Sequence, residues 1–387
     1  MNTILKNKKV AIIGAGPGGL TLARLLQLKG VDVKVYERDE NRNVRVQGAT
    51  LDIHTDSGLK ALEAAGLMDV FKASYRPGND LYRIVDKNAT VFHDDHKKDT
   101  TDDFGDAWFR PEIDRGPLRD MLIDSLKPDT IVWDSHIISL EKNDNNCEII
   151  FENGKKAKAD VVIGADGANS KIRPFITPIK PVYSGVTYLV CNIDDAKKNA
   201  PKVYDLLKGG KIAAFDESKT IFVSAKGDGT IDIYIGFKTD INWAKESGID
   251  FKNGKEVSKW FKKEYANWDS IWLELFEDEK TEFIPRPLYS MPLDQYWEPQ
   301  SNITLLGDAA HLLPPNGEGV NSAMLDAFNF SEIFTNGNFT SIESAIAYYE
   351  KQMFERFVKE GKETGEMMDW MYAPGGLQVM VNMLNPT

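Results

Sequence analysis

The sequence predicts an α/β protein in which a mostly antiparallel β-sheet is inserted into a parallel-sheet domain, with a helical C-terminal segment closing the chain. Three observations lead there. A strand, a glycine turn, a helix and a second strand follow one another between Lys9 and Tyr36. Two later β-branched runs also end in glycine next to aspartate, at Gly164-Ala165-Asp166-Gly167 and at Gly307-Asp308. Between those two runs, strand-like segments are joined by turn signals instead of helices.

The opening unit is the most specific. Lys9-Val10-Ala11-Ile12-Ile13 suits a buried strand, and it runs directly into Gly14-Ala15-Gly16-Pro17-Gly18-Gly19. Leu20, Leu22, Ala23, Leu25 and Leu26 then give a helix an apolar face up to Gly30, and Val31 to Tyr36 reads as a second strand ending at Glu37. In such a Rossmann-like βαβ unit, Gly14 permits the tight turn, Gly16 lets backbone approach a pyrophosphate, and Gly19 lets helix and strand pack closely. The helix N-terminus offers free N–H groups to phosphate. Glu37 arrives about 20 residues later, where a carboxylate can accept hydrogen bonds from an adenosine ribose. A lone G-x-G-x-x-G is weak; the whole unit is a dinucleotide site.

The second run, Ala159 to Gly164, ends at Asp166-Gly167, which in isolation reads as an ordinary turn. The third, Ile303 to Leu306, ends at Gly307-Asp308 and continues through Ala309-Ala310-His311 and Pro314-Pro315-Asn316-Gly317-Glu318-Gly319-Val320-Asn321 into a helix. That loop brings backbone N–H groups to a helix start, a site for an anion or a polar ring edge. His311 reads as structural at least as readily as catalytic. Thr220 to Ser224 and Thr230 to Phe237, joined by Lys226-Gly227-Asp228-Gly229, form a hairpin, and Tyr183 to Ile193 is a further strand. The expected organisation is a nucleotide-binding domain from 1–76, 105–175 and 289–341, a substrate-binding domain from 77–104 and 176–288, and a C-terminal helix over 342–387. Its methionines suit plastic core packing, or an adaptable pocket wall beside a cofactor.

The 387 residues are more than one ordinary core needs. A net charge of −12 argues against nucleic acid as a partner. Two distant cysteines, Cys147 and Cys191, suggest neither a disulfide framework nor a metal cluster. With no apolar run of membrane-spanning length and no signal-peptide pattern, the expectation is a soluble, cytoplasmic monomer that does not engage a membrane.

In this order and spacing, Gly14-x-Gly16-x-x-Gly19 with Glu37-Arg38, Asp166-Gly167 and Gly307-Asp308-Ala309-Ala310-His311 resemble the three motifs of the class A, single-component FAD-dependent aromatic hydroxylases of the para-hydroxybenzoate hydroxylase fold. Within that group the chain is similar to the TetX-type tetracycline-inactivating flavin monooxygenases, notably in Val35 to Asp39, Gly48 to His54, Gly307 to Pro315 and Tyr349 to Phe354. The resemblance implies FAD as cofactor and NADPH as a transient co-substrate. It also implies O2 activation as a flavin C4a-hydroperoxide and hydroxylation of an aromatic or polyketide-like small molecule, a tetracycline being one candidate in an antibiotic-resistance role.

Residue by residue, it implies Glu37 on the ribose, Arg38 at the adenine end, Asp52 and Arg119 on the flavin or its ribityl-phosphate chain, and Asp308 on the ribityl or pyrophosphate part. Arg45 matches an NADPH contact, and Asp166-Gly167 a motif near both nucleotides. The Pro314 to Asn321 loop would face the flavin ring, with Pro314, Gly317 and Gly319 shaping the pocket and no dedicated catalytic side chain. Read without the resemblance, Arg45, Asp52 and Arg119 are surface or loop charges. Where the TetX-type enzymes hold substrate with Gln, Arg and His, this chain carries Val190, Lys211 and Asp232, which changes the hydrogen-bonding capacity. Phe215, Phe222, Tyr234 and Trp243 suit either a flat ligand or core packing, with core packing the default. Alternatives of the same fold are a flavin halogenase, whose W-x-W-x-I-P stretch is absent here, or an isoprenoid reductase. A non-catalytic flavin-binding sensor is the alternative of another class.

Overall fold

The computed structural model describes residues 3–44, 50–97, 103–106, 108–143, 146–278 and 281–385. Its first layer is a five-stranded sheet in the spatial order Ile303–Leu305, Val161–Gly164, Lys9–Ile13, Asp32–Tyr36, Ile131–Val132, with every pairing parallel. The central strands read as unbroken apolar runs because both of their faces are buried, and Val161 to Gly164 are all buried. All three motif-bearing strands are neighbours, so their C-terminal ends line up along one edge. Crevices at such an edge are where open parallel sheets bind ligands.

The second layer is a seven-stranded sheet in the order Ile284–Ser290, Val182–Ile193, Ile231–Lys238, Lys219–Ala225, Lys211–Asp216, Tyr82–Asp86, Val91–Asp94. Only the pairing of Lys211–Asp216 with Tyr82–Asp86 is parallel. Alternation gives it two apolar faces. Leu189, Ile221, Val223, Ile233 and Ile235 pack with Val203, Leu207, Val257 and Phe261 of the covering helices. Tyr188, Ala213 and Phe215 face the other way, toward Met368, Met371 and Tyr372.

The sequence reading missed two features. A three-stranded antiparallel sheet, Ile137–Lys142, Cys147–Phe151 and Lys156–Ala159, packs Leu140, Ile149 and Phe151 into the core of the parallel domain, with Phe151 stacked on Tyr36. The C-terminal segment is two helices, Ile342–Met371 and Gly376–Leu384, because Pro374 cannot continue a helix and Gly375 takes φ +87°. The longer helix bridges the layers: Ile346, Tyr349 and Met353 pack in the parallel domain, and Met368 and Met371 against the antiparallel sheet. Among the described residues, no helix is long and apolar enough to cross a membrane.

Candidate active site

The glycine turn is built by close approach. Gly14 sits at φ +110°, and a Cβ there would lie 2.4 Å from the Ala165 carbonyl oxygen. A Cβ on Gly19 would lie 2.2 Å from the Gly14 carbonyl oxygen, so strand and helix touch backbone to backbone. The helix Pro17–Leu28 starts from Gly16 without a side-chain cap and with no acid in its first turn, which leaves its N-terminal N–H groups for a ligand.

Glu37 and Arg119 hold this turn from behind. The buried Glu37 carboxylate accepts the Ala15 N–H at 2.6 Å and the Asp39 N–H at 3.0 Å. Arg119, 4% exposed, donates to the Ala15 carbonyl at 3.4 Å, to the Arg42 carbonyl at 3.0 Å and to Asp39 at 3.2 Å, with its guanidinium over the Trp133 ring. Arg38 is exposed beside them, and Arg45 lies outside the described residues.

At the second strand end, Asp166 accepts the Ser170 hydroxyl and the Lys171 N–H, each at 2.6 Å, and so closes its own turn. At the third, Asp326 organises the backbone. It accepts the Gly307 N–H at 2.9 Å and pairs with His311 at 2.6 Å and Arg356 at 2.7 Å, so His311 is held in a structural ion cluster. Arg173 donates to the carbonyls of Ala168, Asp308 and Ala309 and ties the two strand ends together. Asp308 is exposed and lines the cavity. Surrounded by protein there, its carboxyl is raised by burial against the pull of His311, Arg115 and Arg173.

A ladder of alternating charge lies next to the Pro314–Gly319 loop. Leu51–Asp52 and Glu112–Ile113 pair antiparallel with Asp52 directly opposite Glu112, an arrangement of like charges that is unfavourable alone. Lys211 from the antiparallel sheet resolves it. Its ammonium bonds Glu112 and also acts on Asp52. Asp52 in turn meets the His54 Nε2 at 2.8 Å, and the His54 Nδ1 meets Glu318 at 3.2 Å. Burial alone would lower the His54 pKa, but the two carboxylates outweigh it and hold it at about 9. Asn321, fully buried, donates to the carbonyls of Asp52 and Gly317 and accepts the His54 N–H, stapling the Pro314–Gly319 loop to this strand.

One cavity of about 2070 Å³ connects these parts. Gly16, Gly18, Gly19, Asp52, Gly167, Lys211, Asp308, Pro314, Gly317 and Gly319 line it. Gly14, Glu37, Arg119, Asp166, Asn321, Val190 and Asp232 stand outside that lining. Val190 and Asp232 do lie on the cavity-facing side of the sheet, because Val190 pairs with Tyr234 and Asp232 with Ser224. Phe215, Phe222 and Tyr234 line the cavity, whereas Trp243 packs against Phe237, Phe251 and Trp260 in the core behind the sheet. His54, Glu112, Arg115, Arg286 and Glu318 were not read as site residues. Arg115 begins the same helix as Arg119, and that four-residue spacing was its only sequence signal.

The residues present fit a dinucleotide carrying a ring system. A Cβ on Gly16 would meet nothing within 4 Å, so the turn opens onto free space beside uncapped helix N–H groups. The cavity is about twice the upper size of an ordinary small-molecule pocket, roughly 1,000 Å³, which leaves room for a second ligand.

Fold and site together define an α/β protein with a dinucleotide-binding turn whose cavity continues onto a second, antiparallel sheet. Residues 7–193 match the family described as FAD binding domain. Monooxygenase asqM of Emericella nidulans is 28% identical to this chain, over 88% of the chain and 86% of that protein. The 2,6-dihydroxypyridine-3-hydroxylase of Arthrobacter nicotinovorans superposes with a TM-score of 0.78 at 17% identity, covering 96% of this chain and 94% of that one. Tetracycline destructase Tet(51) superposes with a TM-score of 0.69 at 19% identity, covering 100% and 94%. At these identities the two structures share the fold. Residues 7–193 carry a FAD binding domain, and the chain is a FAD-dependent monooxygenase.

Proposed function

We propose that this monooxygenase consumes NADPH and O2 to hydroxylate an aromatic or polyketide-like small molecule. The observation that carries the proposal is the single cavity running from the Gly14–Gly19 turn to an aromatic sheet face. Bound FAD supplies the electron transfer and the activation of oxygen. The chain's own residues bind, orient and exclude water. The Gly16–Gly19 N–H groups take the pyrophosphate, with Glu37 and Arg119 fixing the turn and Arg38 beside the adenosine end. Asp308 faces the ribityl chain, and the Pro314–Asn321 loop backs the ring. His54 keeps a proton between Asp52 and Glu318 close to that loop, and Asn321 holds the loop in register.

Tyr188, Phe222 and Tyr234 give the floor an aromatic surface for a flat substrate, with ring centroids 6.3 and 6.0 Å from Tyr188. Lys211 reaches the same space. Val190 and Asp232 sit on the sheet face that borders it. With only one G-x-G-x-x-G, the nicotinamide nucleotide docks transiently at the cavity mouth near Asp166-Gly167. The proposed enzyme is a cytoplasmic monomer, and its two free buried cysteines suit that compartment.

Incubation with NADPH or NADH and a panel of phenols, aromatic acids and tetracyclines tests the proposal. Substrate-dependent nicotinamide oxidation should accompany a mass gain of one oxygen atom. Ligand binding without oxygen uptake by any member of the panel would reduce the chain to a flavin-binding sensor.

A further inference from the structure

Each turnover of the proposed reaction takes up a proton: NADPH, O2, R–H and H+ become NADP+, R–OH and water. That proton has to come from a group that borders the cavity. Of the five histidines, His54 is the one that meets a carboxylate at both ring nitrogens among the described residues, Asp52 at Nε2 and Glu318 at Nδ1. His93 has Asp95 on one nitrogen and the amide oxygen of Asn385 on the other, His96 and His136 each meet one acid, and His311 is committed to Asp326.

The partners of His54 also differ in place. Asp52 and Glu318 both line the cavity, whereas Asp326 is buried outside its lining. Asp52 abuts the Pro314–Gly319 loop: a Cβ on Gly317 would lie 3.5 Å from its Oδ2, the oxygen that meets His54 at 2.8 Å. Burial alone would raise the Asp52 carboxyl, but His54 and Lys211 outweigh it and hold it below the usual carboxylate range. Other charges act one step away, Glu112 through Lys211 and Glu360 of the long helix beside Glu318. An imidazolium bonded to an ionised carboxylate that reaches the reaction space is a general-acid pair.

Resting on the proposed function for the reaction that needs the proton, we propose that His54 is the reservoir of that proton and Asp52 its carrier. The proton on Nε2 passes to the Asp52 carboxylate and from there to the reacting oxygen in the cavity. The neutral imidazole keeps its Nδ1–H on Glu318 and regains a proton at Nε2 along the same path, from water that enters the cavity. Asp52 is the catalytic residue, and His54 is a positioning residue that acts through it.

Reoxidation of the photoreduced, FAD-loaded protein by O2 isolates this step without substrate or nicotinamide, because anionic two-electron-reduced flavin, O2 and one H+ give oxidised flavin and H2O2. The rate, followed by flavin absorbance, should fall as pH rises through about 9. His54→Gln and Asp52→Asn should each reoxidise at least about tenfold more slowly at pH 7 and lose that fall. Glu318→Gln should shift the fall to lower pH, a change that a merely structural role would not produce. Histidine-selective 15N NMR of the oxidised, FAD-loaded protein should show both ring nitrogens of His54 protonated at pH 7. The wild-type pH profile and this resonance decide the matter even where a substitution weakens flavin binding. A neutral His54 at pH 7, a wild-type rate that ignores pH, or flavin-loaded variants that reoxidise like the wild type would overturn the inference and leave the proposed function standing. A wild type whose reduced flavin does not react with oxygen would remove both.

Discussion

The glycine turn and the charged ladder sit in one cavity and are stabilised in opposite ways. At the turn, backbone lies against backbone, with Gly14 and Gly19 leaving no room for a side chain, and the charged groups Glu37 and Arg119 stay behind it. At the ladder, Glu112, Lys211, Asp52, His54 and Glu318 alternate in charge, and each depends on its neighbours for compensation. The turn is therefore intolerant of volume and the ladder intolerant of lost charge.

The largest effect should come from volume at the turn. Gly14→Val would push a side chain into the Ala165 carbonyl at a backbone angle that valine avoids, with a loss of more than about 3 kcal/mol. Urea unfolding of the apo-protein checks this, and near-normal stability would break the contrast. Next comes Lys211→Met, which leaves the buried Glu112 without a cation and facing Asp52, whose remaining partner is His54, with an expected loss of about 3–5 kcal/mol. Adding Glu112→Gln should recover part of it, so a double-mutant cycle would show whether the ladder acts as a unit.

The His54 contribution should appear as a pH dependence. Its folded-state pKa of about 9 lies above the ordinary 6.5, so its stabilisation is complete below pH 6.5 and disappears as pH rises through 9. The amplitude is about 3 kcal/mol, and thermal melts of His54→Gln should lack that slope. Asp232 should show a smaller effect of the opposite kind. Burial lifts its carboxyl to about 6, so the wild type loses stability as pH rises from 3.8 to 6. Asp232→Asn should be more stable than wild type at pH 8 by about 2 kcal/mol. A less stable variant would mean that Lys226 compensates the charge more fully than its 3.9 Å separation suggests.

The same contrast explains what was legible in the sequence. The turn is local: strand, glycines, helix and acid fall within one βαβ unit, so spacing alone locates it. The ladder draws Asp52, Glu112, Lys211 and Glu318 from four distant segments, and no local pattern indicates that Asp52 and Glu112 will oppose each other. Lys211 stood out only where the resemblance placed a substrate contact, and its pairing with Glu112 depends on how two sheets meet. Arg115 was passed over beside Arg119 although the two share a helix face, because no local pattern shows that the first residue of the helix reaches the cavity while Arg119 is taken up by Asp39 and the Arg42 carbonyl. The break in the C-terminal segment was present in the sequence as Ala373-Pro374-Gly375 but was outweighed by the apolar pattern on either side.

The central claim, that the open groove at Gly16 holds FAD, is tested most directly by titrating the apo-protein with FAD and following the quenching of flavin fluorescence, for wild type and Gly16→Val. The wild type should take up one flavin per chain. The variant should melt at the same temperature in its apo form yet bind at least about tenfold more weakly, since its added atoms enter the groove and not the core. A wild type that binds no flavin, or a variant that binds it as tightly as the wild type, would contradict the account.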